Sequence, residues 1–405
     1  MNPSPLPDAP WGLPHTQQGM RRRNLSLVLH AVAAEGPLSR ASVAGRIGLT
    51  RAAVSSLVDE LTHAGLLVEL GREQSGTVGR PGSAIGIGDR GPVGIGAEVG
   101  VDHLSVAAVD LRGKVRARAS AGADNRGRPP EPVLKELAGL VREVTDAVRG
   151  EGLRPAGVAV AVPGLVARDT HTVVRAPNLG WWDVDLGACL PYGPRLTVDN
   201  EANLGALAEL WIGGDPAPRD FVHVSAEIGI GAAVVVDGRL LRGAHGYAGE
   251  LGHVPVRPEG PACACGGRGC LEQYAGEEAV LRAAGLSTTG RPIGLLAERA
   301  AAGDREVRRA LRGAGAALGI ALAGAVNLLD PRAVVLGGAL SRLSPWLLPS
   351  LERELTRRTT DPARPALTVS RLGSDGPLLG AAHSVVRAVL DDPAAYALGS
   401  PTGCQ

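Results

Sequence analysis

The sequence predicts an α/β protein that begins with a winged helix-turn-helix, on three observations. Between Met20 and Gly82, three helical patterns precede a short two-strand pattern ending in Gly79-Arg80-Pro81-Gly82. From Val93 to Leu390, period-two strands mix with amphipathic helices, as an α/β architecture requires. Three of the five cysteines crowd between Cys263 and Cys270, which fits a metal site in a reducing compartment better than disulfides.

Met1 to Gln18 is Pro-rich and lacks apolar periodicity, so residues 1–20 are expected to be a loose tail. Leu25, Leu27, Val28 and Val32 share one face of a first helix. Ser39 caps a second, opened by Arg40, in which Val43, Ala44 and Ile47 face inward. Gly48 supplies the turn and Thr50 caps a third helix, where Val54, Leu57, Val58 and Leu61 make the apolar stripe. Its other face carries Ala52, Ser55, Ser56 and Asp59, with Arg51 at the edge. Small and hydroxyl side chains let a helix lie deep in a major groove, where Arg51 and the serines reach base edges or phosphates. The candidate contacts to double-stranded DNA are therefore Arg40, Thr50, Arg51, Ala52, Ser55 and Ser56. Arg80 in the wing is placed to enter a minor groove. A helical hairpin used for dimerisation competes with this reading; caps, turn glycine and wing together favour DNA. The net charge of +1 does not decide the matter, since arginines only modestly outnumber acids in this segment.

Residues 21–86 are assigned to the winged module and 87–390 to the α/β part, with 391–405 a second loose tail. Val93–Val99 and Leu104–Asp110 read as a hairpin, Glu131–Arg149 as an amphipathic helix, and Ala156–Val162 as a buried strand. With aromatics at 2%, the core must be built from Ala, Val and Leu. No apolar run is long enough to span a bilayer, and the N-terminus lacks the order of a secretory leader, so a cytoplasmic location without membrane contact is expected.

The most specific stretch is Gly249-Glu250-Leu251-Gly252-His253, followed by Cys263-Ala264-Cys265-Gly266-Gly267-Arg268-Gly269-Cys270-Leu271-Glu272. His253 with Cys263, Cys265 and Cys270 supplies three thiolates and an imidazole, a closed tetrahedral set that suits zinc. Buried thiols in a Gly-rich loop are the plainer alternative, but a triplet is not needed for packing. The stretch 249–272 resembles the signature of the ROK family of repressors and sugar kinases, and the winged segment resembles that of the family's regulators. The resemblance implies two actin-like (ribonuclease H-like) lobes with a ligand cleft between them and a structural zinc in the second lobe. It places Glu250, His253 and Glu272 in a sugar site, with Asn200 and Glu201 where the family has Asn-Asp. Asn178, in a loop the family sets beside the ligand, is equally readable as an ordinary loop residue. Carboxylates and amides suit a polyol because they exchange hydrogen bonds with adjacent hydroxyls.

Two family features needed for phosphoryl transfer are altered. The phosphate hairpin Asp-x-Gly-Gly-Thr is replaced by Glu98-Val99-Gly100-Val101-Asp102, and Glu201 stands for the catalytic Asp. A later phosphate loop reads Glu227-Ile228-Gly229-Ile230-Gly231, while Gly337-Gly338 keeps the family's nucleotide-side glycines. Carboxylates repel phosphates, and a misplacement of about 1 Å in a general base costs about 10²-fold. The expectation is a sugar-responsive repressor without catalysis, acting as a homodimer or homotetramer on paired half-sites. An ATP-dependent sugar kinase with an appended DNA-binding domain is the alternative.

Overall fold

The computed structural model describes residues 16–72, 83–190, 192, 195–214, 217–226, 229–287, 292–360 and 364–398. The chain opens with α1 (Gln17–Glu35), β1 (Leu38–Ser39), α2 (Arg40–Ile47), α3 (Arg51–His63), β2 (Leu67–Arg72) and β3 (Ser83–Ile87). The strands pair in the order β1-β3-β2, antiparallel, beside the three helices: a winged helix. Ser39 Oγ accepts from Ser42 N and Thr50 Oγ1 from Ala53 N, so both expected caps form, and Gly48 takes a left-handed conformation with φ 71°. The first helix starts earlier than expected. Thr16 Oγ1 accepts from Gly19 N and caps α1, so residues 17–20 are helical and not tail.

The first lobe comprises β4 (Pro92–Val99), β5 (His103–Asp110), β6 (Val115–Gly122), α4 (Pro130–Gly150) and β7 (Arg154–Val162). It continues with β8 (Leu165–Val166), β9 (Thr172–Ala176), β10 (Trp181–Asp185), α5 (Leu186–Cys189) and β11 (Leu196–Asn200). Its main sheet runs β11-β7-β4-β5-β6, and β10-β9-β8 form a small second sheet. The second lobe begins with α6 (Glu201–Ile212), β12 (Phe221–Ala226), β13 (Ile230–Val236) and β14 (Arg239–Leu240). Then come α7 (Glu272–Ala275), α8 (Glu277–Ala283), α9 (Pro292–Ala301), α10 (Arg305–Leu329), β15 (Ala333–Gly337), α11 (Gly338–Arg358) and β16 (Ala366–Val369). Its sheet runs β14-β13-β12-β15-β16. In both lobes the first three strands are antiparallel neighbours and the last two join parallel to the first, so one topology is used twice. This is the two-lobed actin-like arrangement.

Burial explains the strand signals. All eight residues of β4 are buried, with α4 on one face and the long α12 (Gly376–Asp391) on the other. A Cβ on Gly94 would lie 2.2 Å from Ala382 O, and one on Gly96 2.4 Å from Leu378 O. The glycines of Val93-Gly-Ile-Gly-Ala thus let α12 lie directly on the strand. Helix α10 is long and apolar enough by length and composition to cross a membrane, but Leu311, Leu318 and Leu322 are buried in the second-lobe core.

The C-terminal stretch departs from expectation more than any other. Helix α12 runs through Asp391, and α13 (Pro393–Leu398) follows it. Val386, Val389 and Leu390 share one buried cluster with Leu25, Val28, Leu29 and Leu66 of the winged helix. His30 Nε2 lies 2.7 Å from Asp391 Oδ1, Arg22 pairs with Asp392, and Arg154 stacks over the Tyr396 ring at 5.6 Å. Residues 391–398 are packed because two acids there meet basic partners on α1. The segment 87–91 shows the same tight joining: Gly88 N donates to Leu66 O, and Arg112 holds the carbonyl of Ile87. The winged helix and the first lobe therefore share an apolar core.

Candidate functional site

The Cys-rich stretch folds as a tight knot after the loop that follows β14. Gly249 has φ 109°, and a Cβ there would lie 2.2 Å from Ala232 O, so only glycine lets this turn sit on β13. That turn delivers Glu250 and His253. The ligand atoms of His253, Cys263, Cys265 and Cys270 all lie within 4.8 Å of one another. Cys263 Sγ is 3.7 Å from His253 Nδ1, and Cys265 Sγ is 3.6 Å from Cys270 Sγ. Four ligands about 2.3 Å from one centre in a tetrahedron stand about 3.8 Å apart, so the donor set and its spacing fit a four-coordinate metal. Burial first, and the neighbouring thiols next, push the Cys270 thiol up to about 12, whereas the Gly267 amide lowers Cys265. Three crowded thiols do not ionise together without a cation.

The remaining edge of His253 faces the cleft, with Nε2 3.8 Å from Glu250 Oε2. Burial raises the Glu250 carboxyl, and nearby Glu272 adds to the effect against His253. Glu272 Oε2 accepts from Ile230 N at 3.3 Å. A Cβ on Gly229 would lie 2.6 Å from Glu272 Oε2 and 3.4 Å from Asn178 Nδ2. Asn178, on the first lobe, and Glu272, on the second, thus converge on one point. Four of the expected sugar residues are gathered here: Asn178, Glu250, His253 and Glu272.

Asn200 is placed differently. It caps α6: its Oδ1 accepts from Ala202 N at 2.7 Å and Asn203 N at 3.3 Å, while Nδ2 donates to Gly164 O at 2.7 Å. Its acceptor sites are filled, which leaves one amide hydrogen for a ligand. Glu201, the first residue of α6, is pushed up to about 7 by burial first and by Glu98 next, with His103 opposing. Glu98, the next-to-last residue of β4, is only 3% exposed, and its Oε1 has no partner among the described residues. The His103 ring folds over the β4–β5 turn, 2.3 Å from where a Cβ on Gly100 would be, and its Nδ1 bonds Asp102 Oδ1 at 2.8 Å. The His103 imidazole and the Glu98 and Asp102 carboxylates therefore cluster about the turn after β4. Glu227 and Ile228 of the later loop lie outside the described residues.

On α3, Val54, Leu57, Val58 and Leu61 are buried, while Arg51, Ala52 and Ser56 are exposed and Ser55 is half-buried. Arg40 is engaged within the module: Nη2 bonds Asp59 Oδ1 and Glu69 Oε1, each at 2.7 Å, tying α2 to α3 and β2. Thr50 uses its hydroxyl as the cap of α3. Arg80 lies outside the described residues.

The fold and its centre define the class: a two-lobed actin-like scaffold of the sugar-kinase type, with a Cys/His knot whose donors could hold a metal and a winged helix in front. The chain belongs to the ROK family, whose model matches residues 94–388. It is 30% identical over 381 residues to the xylose repressor of Bacillus subtilis, covering 93% of this chain and 98% of that protein. Among solved structures it resembles a ROK family transcriptional regulator, a homologue of the E. coli Mlc protein, with TM-score 0.79 at 25% identity. That match covers 94% of this chain and 100% of the other. A ROK family glucokinase from Streptomyces griseus, solved with glucose and AMPPNP, matches with TM-score 0.64 and 26% identity over 72% of this chain and 98% of its own.

Proposed function

We propose that the protein is a sugar-responsive transcriptional repressor that binds operator DNA through α3 and an unphosphorylated sugar in the interlobe cleft. The observation that carries this reading is the contrast within one cleft. Its sugar side keeps Asn178, Glu250, His253 and Glu272 together, while its phosphate side holds Glu98, Asp102 and the His103 ring. The repressor-type relatives match along nearly the whole chain, winged helix included, whereas the glucokinase match covers 72% of it.

Zinc held by His253, Cys263, Cys265 and Cys270 would order the knot and orient the imidazole. With Nδ1 on the metal, Nε2 keeps its hydrogen and donates to a sugar hydroxyl that Glu250 accepts from in turn. The ligand bridges the lobes through Asn178 and Glu272 and so favours one cleft opening. Helix α12 offers the route to DNA. Its N-terminal Gly376 and Pro377 lie beside Glu201, and its C-terminal turns sit in the winged-helix core. In a homo-oligomer a shift of α12 re-aims both recognition helices against a fixed half-site spacing. Phosphoryl transfer is disfavoured, since an anionic phosphate entering the hairpin would meet Glu98 and Asp102.

The test is operator binding by purified protein, titrated with a monosaccharide panel at fixed salt. A sugar that changes operator affinity by about 5–150-fold, with the reciprocal change in sugar affinity, is expected. Sugar-dependent ATP hydrolysis at an enzyme-like rate, with no sugar effect on operator binding, would return the kinase reading.

A further inference from the structure

Arg175 on β9 belongs to the first lobe and has no part in the sugar, metal-ligand or DNA roles above. Its Nη2 donates at 2.8 Å to the carbonyl of Ala264, the residue between Cys263 and Cys265 on the second lobe. Its Nε is buried and has no partner among the described residues. Among the described residues, bonds elsewhere between the lobes include Arg168 N donating to His245 O at 3.2 Å and Arg242 Nη2 lying 2.6 Å from Asp199 Oδ2. Of these three, the bond of Arg175 is the one that reaches the metal-binding loop.

We infer that Arg175 is a positioning residue that latches the zinc loop to the first lobe, so that metal loading and cleft closure are linked. Three thiolates and a neutral imidazole on a divalent zinc leave the centre with one net negative charge. A guanidinium beside that charge is complementary to it, and a hydrogen bond with a charged partner is among the stronger kinds. When the metal leaves, the loop that carries Ala264 is no longer held by its four ligands and loses order. The Arg175 bond then weakens, and the lobes lose a contact on the ligand side. The linkage is reciprocal, so whatever holds the lobes together also retards loss of zinc. The inference rests on the zinc reading; its consequence for sugar affinity rests on the sugar reading.

The experiment uses the full-length, zinc-loaded protein and needs no sugar. Transfer of zinc to a chromogenic chelator is timed for the wild type, Arg175→Met and Arg175→Lys. Release from the Met variant should be about tenfold faster, the size expected for one charge-assisted hydrogen bond, with Lys in between. In parallel, hydrogen exchange is followed over residues 165–185 of the first lobe, with α4 as reference. Removing zinc should deprotect 165–185 in the wild type while α4 stays protected. In Arg175→Met that segment should be deprotected already and indifferent to zinc. Equal release rates for wild type and Met variant would overturn the latch, as would wild-type protection that ignores zinc or is lost equally from α4. Because sugar is absent throughout, a protein that later ignores every sugar would refute the effector reading without altering this result.

Discussion

Replacing Glu201 with Gln should stabilise the protein, and the gain should grow with pH. Glu201 starts α6 at the floor of the cleft, where burial first and the buried Glu98 second push its carboxyl up to about 7. An unfolded glutamate titrates near about 4.3, and each unit of separation corresponds to about 1.4 kcal/mol, so the difference amounts to about 4 kcal/mol. The sign follows from linkage. The folded state holds this proton more tightly than the unfolded chain, so ionisation costs the folded state stability. The cost is absent below the unfolded value, appears as pH rises from about 4.3, and is complete above about pH 7. Glutamine keeps the shape and removes the charge, and it also relieves Glu98, whose Oε1 lacks a partner among the described residues. Melting followed from pH 4 to 8.5 should show wild type and Glu201→Gln nearly coincident at the acid end. They should separate by roughly 8–16 °C at pH 8.5, taking about 2–4 °C per kcal/mol for a domain-sized unit. A separation independent of pH, or a variant less stable at pH 8.5, would refute the reasoning and show that Glu201 is ionised and paired in the folded protein.

Three further outcomes are expected. Purified protein should hold about one zinc per chain, and Cys265→Ser should lose the metal and melt earlier; a variant that keeps both would remove the zinc assignment. Arg51→Ala should weaken operator binding by about 1–3 kcal/mol with little change in melting, whereas Arg40→Ala should chiefly lower the melting temperature, because Arg40 ties α2 to Asp59 and Glu69. If both variants bind operator like the wild type at fixed salt, α3 is not the reading helix. Glu250→Ala should abolish the response of operator affinity to sugar while the sugar-free affinity stays within about twofold, a small change on the scale of allosteric coupling; a preserved response would take Glu250 out of the site.

Much of this was legible in the linear sequence, where the physics is local. The caps at Ser39 and Thr50 form because a hydroxyl reaches an amide three residues on, a relation contained within one turn. The apolar stripe of α3 and the buried hairpin of β4 and β5 follow from period alone. The candidate metal set was readable because Cys263, Cys265 and Cys270 are close in the chain, and Gly266 and Gly269 take the positive φ that tight turns between them need. The ion pairs of Arg40 were not legible, for the opposite reason. Its composition suggested DNA, but its acidic partners lie 19 and 29 residues away, and no pattern in the sequence announces them.

The sequence by itself determined the winged helix, the α/β class, the metal-binding set and the family, since each rests on residue type at short spacing. Only the tertiary structure decided that one strand order is used in both lobes, because pairing order depends on contacts between distant segments and leaves no repeat in the residues. It also decided that residues 391–398 are not a tail. Asp391 and Asp392 look like solvated acids until α1 brings His30 and Arg22 to them, more than 300 residues away in the chain. The same holds for Arg175, which reaches Ala264 across the cleft. Such long-range partners are set by how the lobes and the winged helix pack on α12, and packing of whole surfaces is not encoded at any single spacing.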